Sequence, residues 1–477
     1  MSRFLSFAPL LLLIAAGALY SQTPNPAQRR QIQEELRTLK QRLAAHYASD
    51  LPPDQIQQRI DQLQQQLDQL GPAPPFTGRP ISSRPSPIAP PPCVPVNPNA
   101  TPEARAVLQK ICDVSGKAIL TGQHNYPNER NLDTEAIHTL TGKYPAIWGS
   151  DFGFTSGEDQ DAITHRDLMI QEARRQYAAG SIVYLCWHMM RPTDDEPGQP
   201  GASWSGSVQA KLTDDQWLEL ITSDSPLHQR WEKYMDTAAG YLKQLQDAHI
   251  PVLFRPMHEN NGSFFWWGGR PGPYGTAELY REVYNRMVNV HHLDNLVWVW
   301  NQNGPAPGGQ FYDFFPGPQY CDIVSYDNYR TLDDRYYQEI LTIANGKPIA
   351  LGEVGTPPPP ELLAAQPKWA FYMTWAGMSG ATPPFRRAAP GGDSPDPEPH
   401  PIPIPANATP DQLRAIIQQL EQQTPGPYHP PFYPIPAAAT PDMLRRIADR
   451  LEPGPGNALK AIYDDPYYLK RGDPIPK

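Results

Sequence analysis

An eight-stranded (β/α)8 barrel is the fold class this sequence predicts, and three observations carry that prediction. Between residues 117 and 377, eight short apolar runs alternate with amphipathic helical stretches. The runs are near-continuous in apolar residues, as parallel strands buried on both faces require. Nearly every run also ends on polar groups: His124, Asp151, His188, Glu259, Asn301, Asp327 with Tyr329, and Glu353. In such a barrel the C-terminal strand ends converge on one mouth, where active sites sit. The doubly wound alternative lacks a Gly-rich phosphate turn after its first strand.

The elements follow in order. The chain opens with "MSRFLSFAPLLLLIAAGALYSQTP". A positive Arg3, a short apolar stretch and small residues before position 22 predict a signal peptide over 1–21, too short for a comfortable membrane span. The reading is therefore an exported protein, periplasmic or extracellular, with a retained anchor as the lesser alternative. Export makes disulfides available to the four cysteines. Cys93 and Cys112 stand where a bridge would tie the edge of the globular region, whereas Cys186 and Cys321, beside apolar runs, read as free buried thiols.

Residues 22–70 read as a helical pair. In "DQIQQRIDQLQQQLDQL" the positions Ile56, Ile60, Leu63, Leu67 and Leu70 step by four and three, a heptad seam. The seam is short, which favours a self-packed spacer over a weak dimer through residues 27–70. Residues 71–98 are a Pro-rich, semi-rigid linker. A helix begins after Thr101, with Pro102 at its first position.

The barrel runs over residues 99–380, on the runs "KAILTGQHN", "YPAIWGSD", "SIVYLCWH", "PVLFRPMHE", "NLVWVWN", "CDIVSYDNY", "PIALGEVG" and "FYMTWAG". Residues 381–455 form a Pro-rich insertion after strand eight. It holds a near-repeat, "IPANATPDQLRAIIQQLE" and "IPAAATPDMLRRIADRLE", and each copy predicts a short helix capped by Thr with Pro at its first position. Residues 456–477 supply the closing helix.

A net charge of −10, from 40 Lys and Arg against 50 Asp and Glu, argues against a nucleic-acid partner. No Cys/His cluster has zinc spacing. The informative chemistry lies in two glutamates, Glu259 after the fourth run and Glu353 in the seventh, across the mouth from each other. A carboxylate after a long apolar run is costly unless it is paired or functional. A facing pair suits glycoside hydrolysis, where one carboxyl protonates the departing oxygen and the other attacks the anomeric carbon or activates water. Arg255 is placed to hold a neighbouring carboxylate ionised, His258 to contact a sugar hydroxyl, and Tyr329 to hydrogen-bond Glu353. Trp298 reads as core, with Trp148 next. The ring of Trp148, Trp187, Trp266, Trp267, Trp300 and Trp375 reads as sugar-stacking platforms.

The segments "RPMHENNGSFFWWGG", "WVWN", "SYDNY", "ALGEVG" and "MTWAG" resemble glycoside hydrolase family 26, over roughly residues 93–380 plus the last helix. The resemblance implies a (β/α)8 barrel and a retaining double displacement with Glu259 as acid/base and Glu353 as nucleophile. It also implies sugar contacts from His188, His258 and Trp375, and an Asp327–Tyr329 pair that orients the nucleophile. Trp187, Trp267, Trp300 and Arg255 complete the expected substrate-binding set, with no metal or organic cofactor. Endo-β-1,4-mannanase activity is the expected function. β-1,3-Xylanase and mixed-linkage β-glucanase activities of the same family, or a non-catalytic carbohydrate-binding barrel, are the alternatives. Phe264 stands where several mannanases carry Trp, and Val354 where Phe is common; both bear on subsite preference. The insertion and the N-terminal helices lie outside the family pattern.

Overall fold

The computed structural model describes residues 53–69, 89–155, 161–194, 203–272, 274–304, 311–329, 333–381, 408–423, 440–441, 444 and 457–476. The predicted signal peptide, the predicted first helix of the N-terminal pair, most of the predicted linker and most of the predicted 381–455 insertion lie outside them. Among the described residues no helix is long and apolar enough to cross a membrane. The chain divides into two compact units, residues 1–78 and 79–477. In the first, one helix spans Pro53–Gln69, and the seam positions Ile56, Ile60 and Leu63 are buried. Of the insertion, a helix over Pro410–Gln423 is described, with Leu413 and Ile417 buried.

The second unit is a closed parallel barrel. Its first strand is split at Thr121 into β1 (Ile119–Leu120) and β2 (Gly122–His124). Then come β3 (Ile147–Asp151), β4 (Ile182–Trp187), β5 (Val252–Pro256), β6 (Leu296–Asn303), β7 (Ile323–Asn328), β8 (Ile349–Val354) and β9 (Trp369–Thr374). From β2 onward each pairs in parallel with the next, and β9 returns to both β1 and β2, so all eight predicted runs are staves. The split has a cause. After the closing helix Asn457–Asp464 the chain adds a short strand, β10 (Tyr468–Leu469), parallel to β1. Leu469 O accepts both the Thr121 N–H (3.0 Å) and the Thr121 hydroxyl (2.9 Å). The sequence predicts only a helix here; the strand is an addition.

Side-chain alternation sorts the staves into two cores. Ile147, Ile182, Tyr184, Leu253, Val297, Val299, Ile323 and Phe371 point into the barrel. Trp148, Val183, Trp187, Phe254, Trp298, Trp300 and Leu351 point out, against the helices. The helix Pro102–Val114 packs Ala104, Leu108, Ile111 and Val114 onto the inner set, opposite the mouth. Thr101 caps it as predicted, accepting from Ala104 N at 3.2 Å.

The residues leading into this helix are docked, although the composition of 71–98 predicts a linker. Asp322 accepts the Val96 N–H (2.7 Å) and the Trp298 N–H (2.8 Å), and Tyr284 donates to Val96 O (2.9 Å). Cys93 and Cys112 form a disulfide, while Cys186 and Cys321 are free and buried. The sequence separation is 19 residues. Closing a loop of that size in the unfolded chain contributes about 3 kcal/mol. Cys93→Ala with Cys112→Ala is therefore expected to lower the unfolding free energy by about that amount. Denaturant titration of the two proteins checks it, and overlapping curves would reject the assignment of a stabilising tether.

Candidate active site

The site is assembled around the end of β5. Val252 and Phe254 face out, so Leu253 and Arg255 face in, and Arg255 is fully buried. Its guanidinium donates to Asp327 Oδ2 at 2.5 Å and to Glu353 Oε1, with the Tyr184 ring 5.5 Å below. A planar fork with five donors is the group that can serve two carboxylates on neighbouring strands at once.

Glu353 reaches that fork through a backbone irregularity. Along β7 and β8 the register pairs Tyr326 with Leu351 but Asp327 with Glu353, leaving Gly352 as an extra residue. Such a bulge re-aims the side chains beyond it. Leu351 therefore faces out while Glu353 turns to the mouth. Only glycine fits at the bulge: a Cβ there would lie 2.6 Å from Asp327 Oδ1 and 2.7 Å from Asn301 Nδ2. The second carboxylate oxygen of Glu353 accepts from the Tyr329 hydroxyl at 2.6 Å. Tyr329 is 43% exposed overall, yet its hydroxyl end is enclosed against Glu353. That enclosure and the Glu353 charge push the phenol well above its ordinary range, which keeps it a donor.

Glu259 is brought in by a kink. Beyond Pro256 the chain turns through two left-handed residues, Met257 (φ 52°) and Glu259 (φ 50°). Such conformations are uncommon outside glycine and collect at functional sites. Two contacts hold the kink. Asn301 Oδ1 accepts the Glu259 N–H at 2.7 Å, and Trp267 Nε1 donates to His258 O at 2.9 Å. Asn301 also donates to Asp327 Oδ1 at 2.6 Å, which ties the acid-bearing loop to the Arg255 cluster.

One oxygen each of Glu259, Asp327 and Glu353 lie within 4.8 Å of one another. Three buried carboxyl groups share a single guanidinium, so they cannot all ionise cheaply. The third, Glu259, is pushed well above the usual carboxylate range, first by burial and then by the charges of Glu353 and Asp327. Asp327 is pushed up as well, by burial and by the Glu353 charge, against the lowering contacts of Arg255 and Asn301.

His258 and His188 meet edge to face, with their Nε2 atoms 2.8 Å apart, and His188 Nδ1 lies 2.8 Å from Asp151 Oδ2. His124 stacks on Trp375 with ring centroids 3.8 Å apart. Among the described residues, two groups have donor atoms close enough for a cation, Glu259–Asp327–Glu353 and Asp151–Cys186–His188. In the first, Arg255 already fills the cation's role. In the second, the Cys186 thiol (2.9 Å) and the His188 ring direct their protons at Asp151.

The predicted ring of stacking tryptophans does not hold. Trp187 and Trp300, assigned from sequence to substrate binding, occupy outward positions, buried against the helices as Trp148 and Trp298 are. Period-two alternation puts them on the opposite face from Cys186 and Asn301. Trp266 and Trp267 are also fully buried. Trp266 Nε1 donates to Met189 O at 2.8 Å, and Trp267 stacks on Phe265, so both brace loops. A ring with no open face cannot lie against a sugar. Among the described residues, rings with an open part at the mouth are the half-buried Trp375, Tyr329 and Trp204, which is 39% exposed beside His188 and Phe265. Sequence reasoning passed over Trp204, because it lies on a loop far beyond the end of β4, and it used Asn301 and Asp151 only as markers of strand ends.

Among relatives, the chain is 33% identical over 289 residues to a mannan endo-1,4-beta-mannosidase of Thermothelomyces thermophilus, covering 58% of this chain and 56% of that protein. It spans about half the length of the first curated relatives it matches, 56% and 45%. Among solved structures it is similar to GH26A from Muricauda sp., at 41% identity and TM-score 0.56, covering 59% of this chain and 91% of that one. It is also similar to a Podospora anserina GH26-CBM35 beta-(1,4)-mannanase, at 30% identity and TM-score 0.51, covering 64% of each. The sequence pattern of glycosyl hydrolase family 26 matches residues 96–384, and over that span, well beyond half its length, the chain belongs to this family.

Proposed function

We propose that this protein is a retaining endo-β-1,4-mannanase that uses Glu259 as acid/base and Glu353 as nucleophile. The observation that carries the reading is the proximity of the two carboxylates, with oxygens within 4.8 Å. Retaining enzymes hold their carboxyl groups about 5–5.5 Å apart, whereas inverting ones leave about 6.5–9.5 Å for a water. Their opposite electrostatics support the same division of labour. Glu353 accepts from Arg255 and Tyr329, partners that favour a carboxylate, while Glu259 is held protonated by burial and neighbouring charge.

In this scheme Glu353 attacks the anomeric carbon as Glu259 transfers its proton to the departing glycosidic oxygen. The bond to the leaving sugar breaks and a glycosyl ester forms on Glu353. Glu259, now ionised, takes a proton from water, which displaces Glu353 and returns both groups to their starting states. Trp375, Trp204 and Tyr329 supply the open ring faces on which pyranose C–H groups pack. Mannan is the substrate favoured by the names of the relatives. Export, proposed from the N-terminal apolar segment, is supported by the Cys93–Cys112 disulfide, since such bonds persist in oxidising compartments.

Reducing-end release from galactomannan, glucomannan, β-1,3-xylan and mixed-linkage glucan tests the reading. Release from the two mannans is expected, and release only from xylan or mixed-linkage glucan would replace the sugar while keeping the mechanism. Glu353→Ala is expected to lose about 10⁴-fold or more in kcat with its circular dichroism unchanged. Turnover of unactivated polymer by that variant would remove Glu353 as nucleophile. The raised Glu259 carboxyl sets the alkaline limb of the kcat/KM profile. Activity falls as pH rises through that carboxyl's pKa, because the proton needed for donation is lost. Glu259→Gln should abolish this limb, and a profile that keeps it would assign the acid elsewhere.

A further inference from the structure

We propose that Asp151 is a positioning residue that, from one buried carboxylate, dictates which ring nitrogen carries the proton on His188, His258 and His124. The proposal rests on the hydrolase reading for its kinetic consequence, while the proton placement follows from the hydrogen-bond geometry of neutral rings. Asp151 is buried at the end of β3 and aims into the barrel. Its Oδ2 accepts from His188 Nδ1 at 2.8 Å, His188 N at 3.1 Å and Cys186 Sγ at 2.9 Å, and its Oδ1 accepts the Gly153 N–H at 2.9 Å. Burial raises this carboxyl, but His188, Cys186 and His124 together outweigh it and leave it below its ordinary value. These contacts stabilise the anion, and an anion can only accept.

The consequences propagate along two arms. On the first, His188 must carry a proton on Nδ1 to face the Asp151 anion; as a neutral ring it then holds a lone pair on Nε2. That Nε2 lies 2.8 Å from His258 Nε2, which must therefore donate, leaving His258 Nδ1 bare. On the second, the Cys186 proton is committed to Asp151, so its sulfur accepts from His124 Nε2 at 3.7 Å, leaving His124 Nδ1 bare. An independent observation agrees. Among the described residues, His258 Nδ1 and His124 Nδ1 are both buried atoms without a hydrogen-bond partner. A buried orphan acceptor is better tolerated than a buried orphan N–H, and the Asp151 chain leaves acceptors at both places. Burial also pushes His258 well down and His124 to about 3, so both rings are neutral.

The arms end at functional groups. His258 Nε2 is 3.8 Å from Glu353 Oε1, and spending its proton on His188 withholds it from the nucleophile. Glu353 then keeps Arg255 and Tyr329 as its donors, with no third to blunt its attack. The other arm fixes the imidazole on which Trp375 stacks. Neither arm requires Asp151 to touch the sugar.

Long-range ¹H–¹⁵N correlation spectra of the full chain, labelled with [¹⁵N]histidine, test the assignment directly. His124, His188 and His258 are identified by their loss in the corresponding His→Gln variants. The expected result is His258 and His124 protonated on Nε2 and His188 on Nδ1. A His258 proton on Nδ1, or a doubly protonated His188, overturns the proposal on the wild-type protein alone, whether or not any Asp151 variant folds. In Asp151→Asn the His258 pattern is expected to shift and kcat on mannan to fall roughly 10–100-fold, with a smaller change in KM. A wild-type histidine spectrum or an unchanged kcat in that variant likewise overturns it. If the expected spectrum appears in a protein that turns over none of the polysaccharides, Asp151 keeps its control of the rings and the hydrolase reading falls.

Discussion

The structure of the mouth depends on one buried cation. Arg255 sits on the inner face of β5 with no solvent contact, and its fork serves Asp327 and Glu353 on the two strands opposite. Removing a guanidinium from water costs several kcal/mol, repaid only when good geometry and further hydrogen bonds satisfy its partners. Here the partners are satisfied outward as well: Asp327 by Asn301, and Glu353 by Tyr329. Asn301 in turn accepts the Glu259 backbone N–H, so the position of the Glu259 carboxyl is referred back to the same cation. One positive charge among three carboxyl groups also keeps them from all ionising cheaply. Placement and protonation thus have a common origin.

Two local departures from regular structure make this possible. A regular β8 would continue its alternation and turn Glu353 away from the barrel axis; the extra residue at Gly352 reverses that. A regular β5 would run on past Pro256; the left-handed Met257 and Glu259 fold the chain back so that the carboxyl faces its partner. The left-handed Met257 and Glu259 each carry a conformational cost of order 1–3 kcal/mol, and the packed surroundings must over-determine them. The buried rings do this: Trp267 holds the His258 carbonyl, and Trp266 holds Met189 in the loop beside it. Aromatic residues that read as a binding surface serve instead as the frame behind it.

Much of this was legible in the chain itself. Eight apolar runs ending in polar residues gave the barrel, its open end and the side chains gathered there, because strand direction and period-two alternation are properties of local sequence. Arg255, His258, Glu259, Asp327, Tyr329 and Glu353 do meet. What the sequence by itself determined was therefore which residues reach the mouth and that two of them are glutamates on opposing staves. Only the tertiary structure decided which tryptophans have an open face, that an added strand splits the first stave, and how many donors surround Asp151. Those outcomes depend on contacts between residues far apart in the chain. Solvent exposure of a ring and the charge state of a buried carboxyl are set by what packs against them, and neither has a local signature.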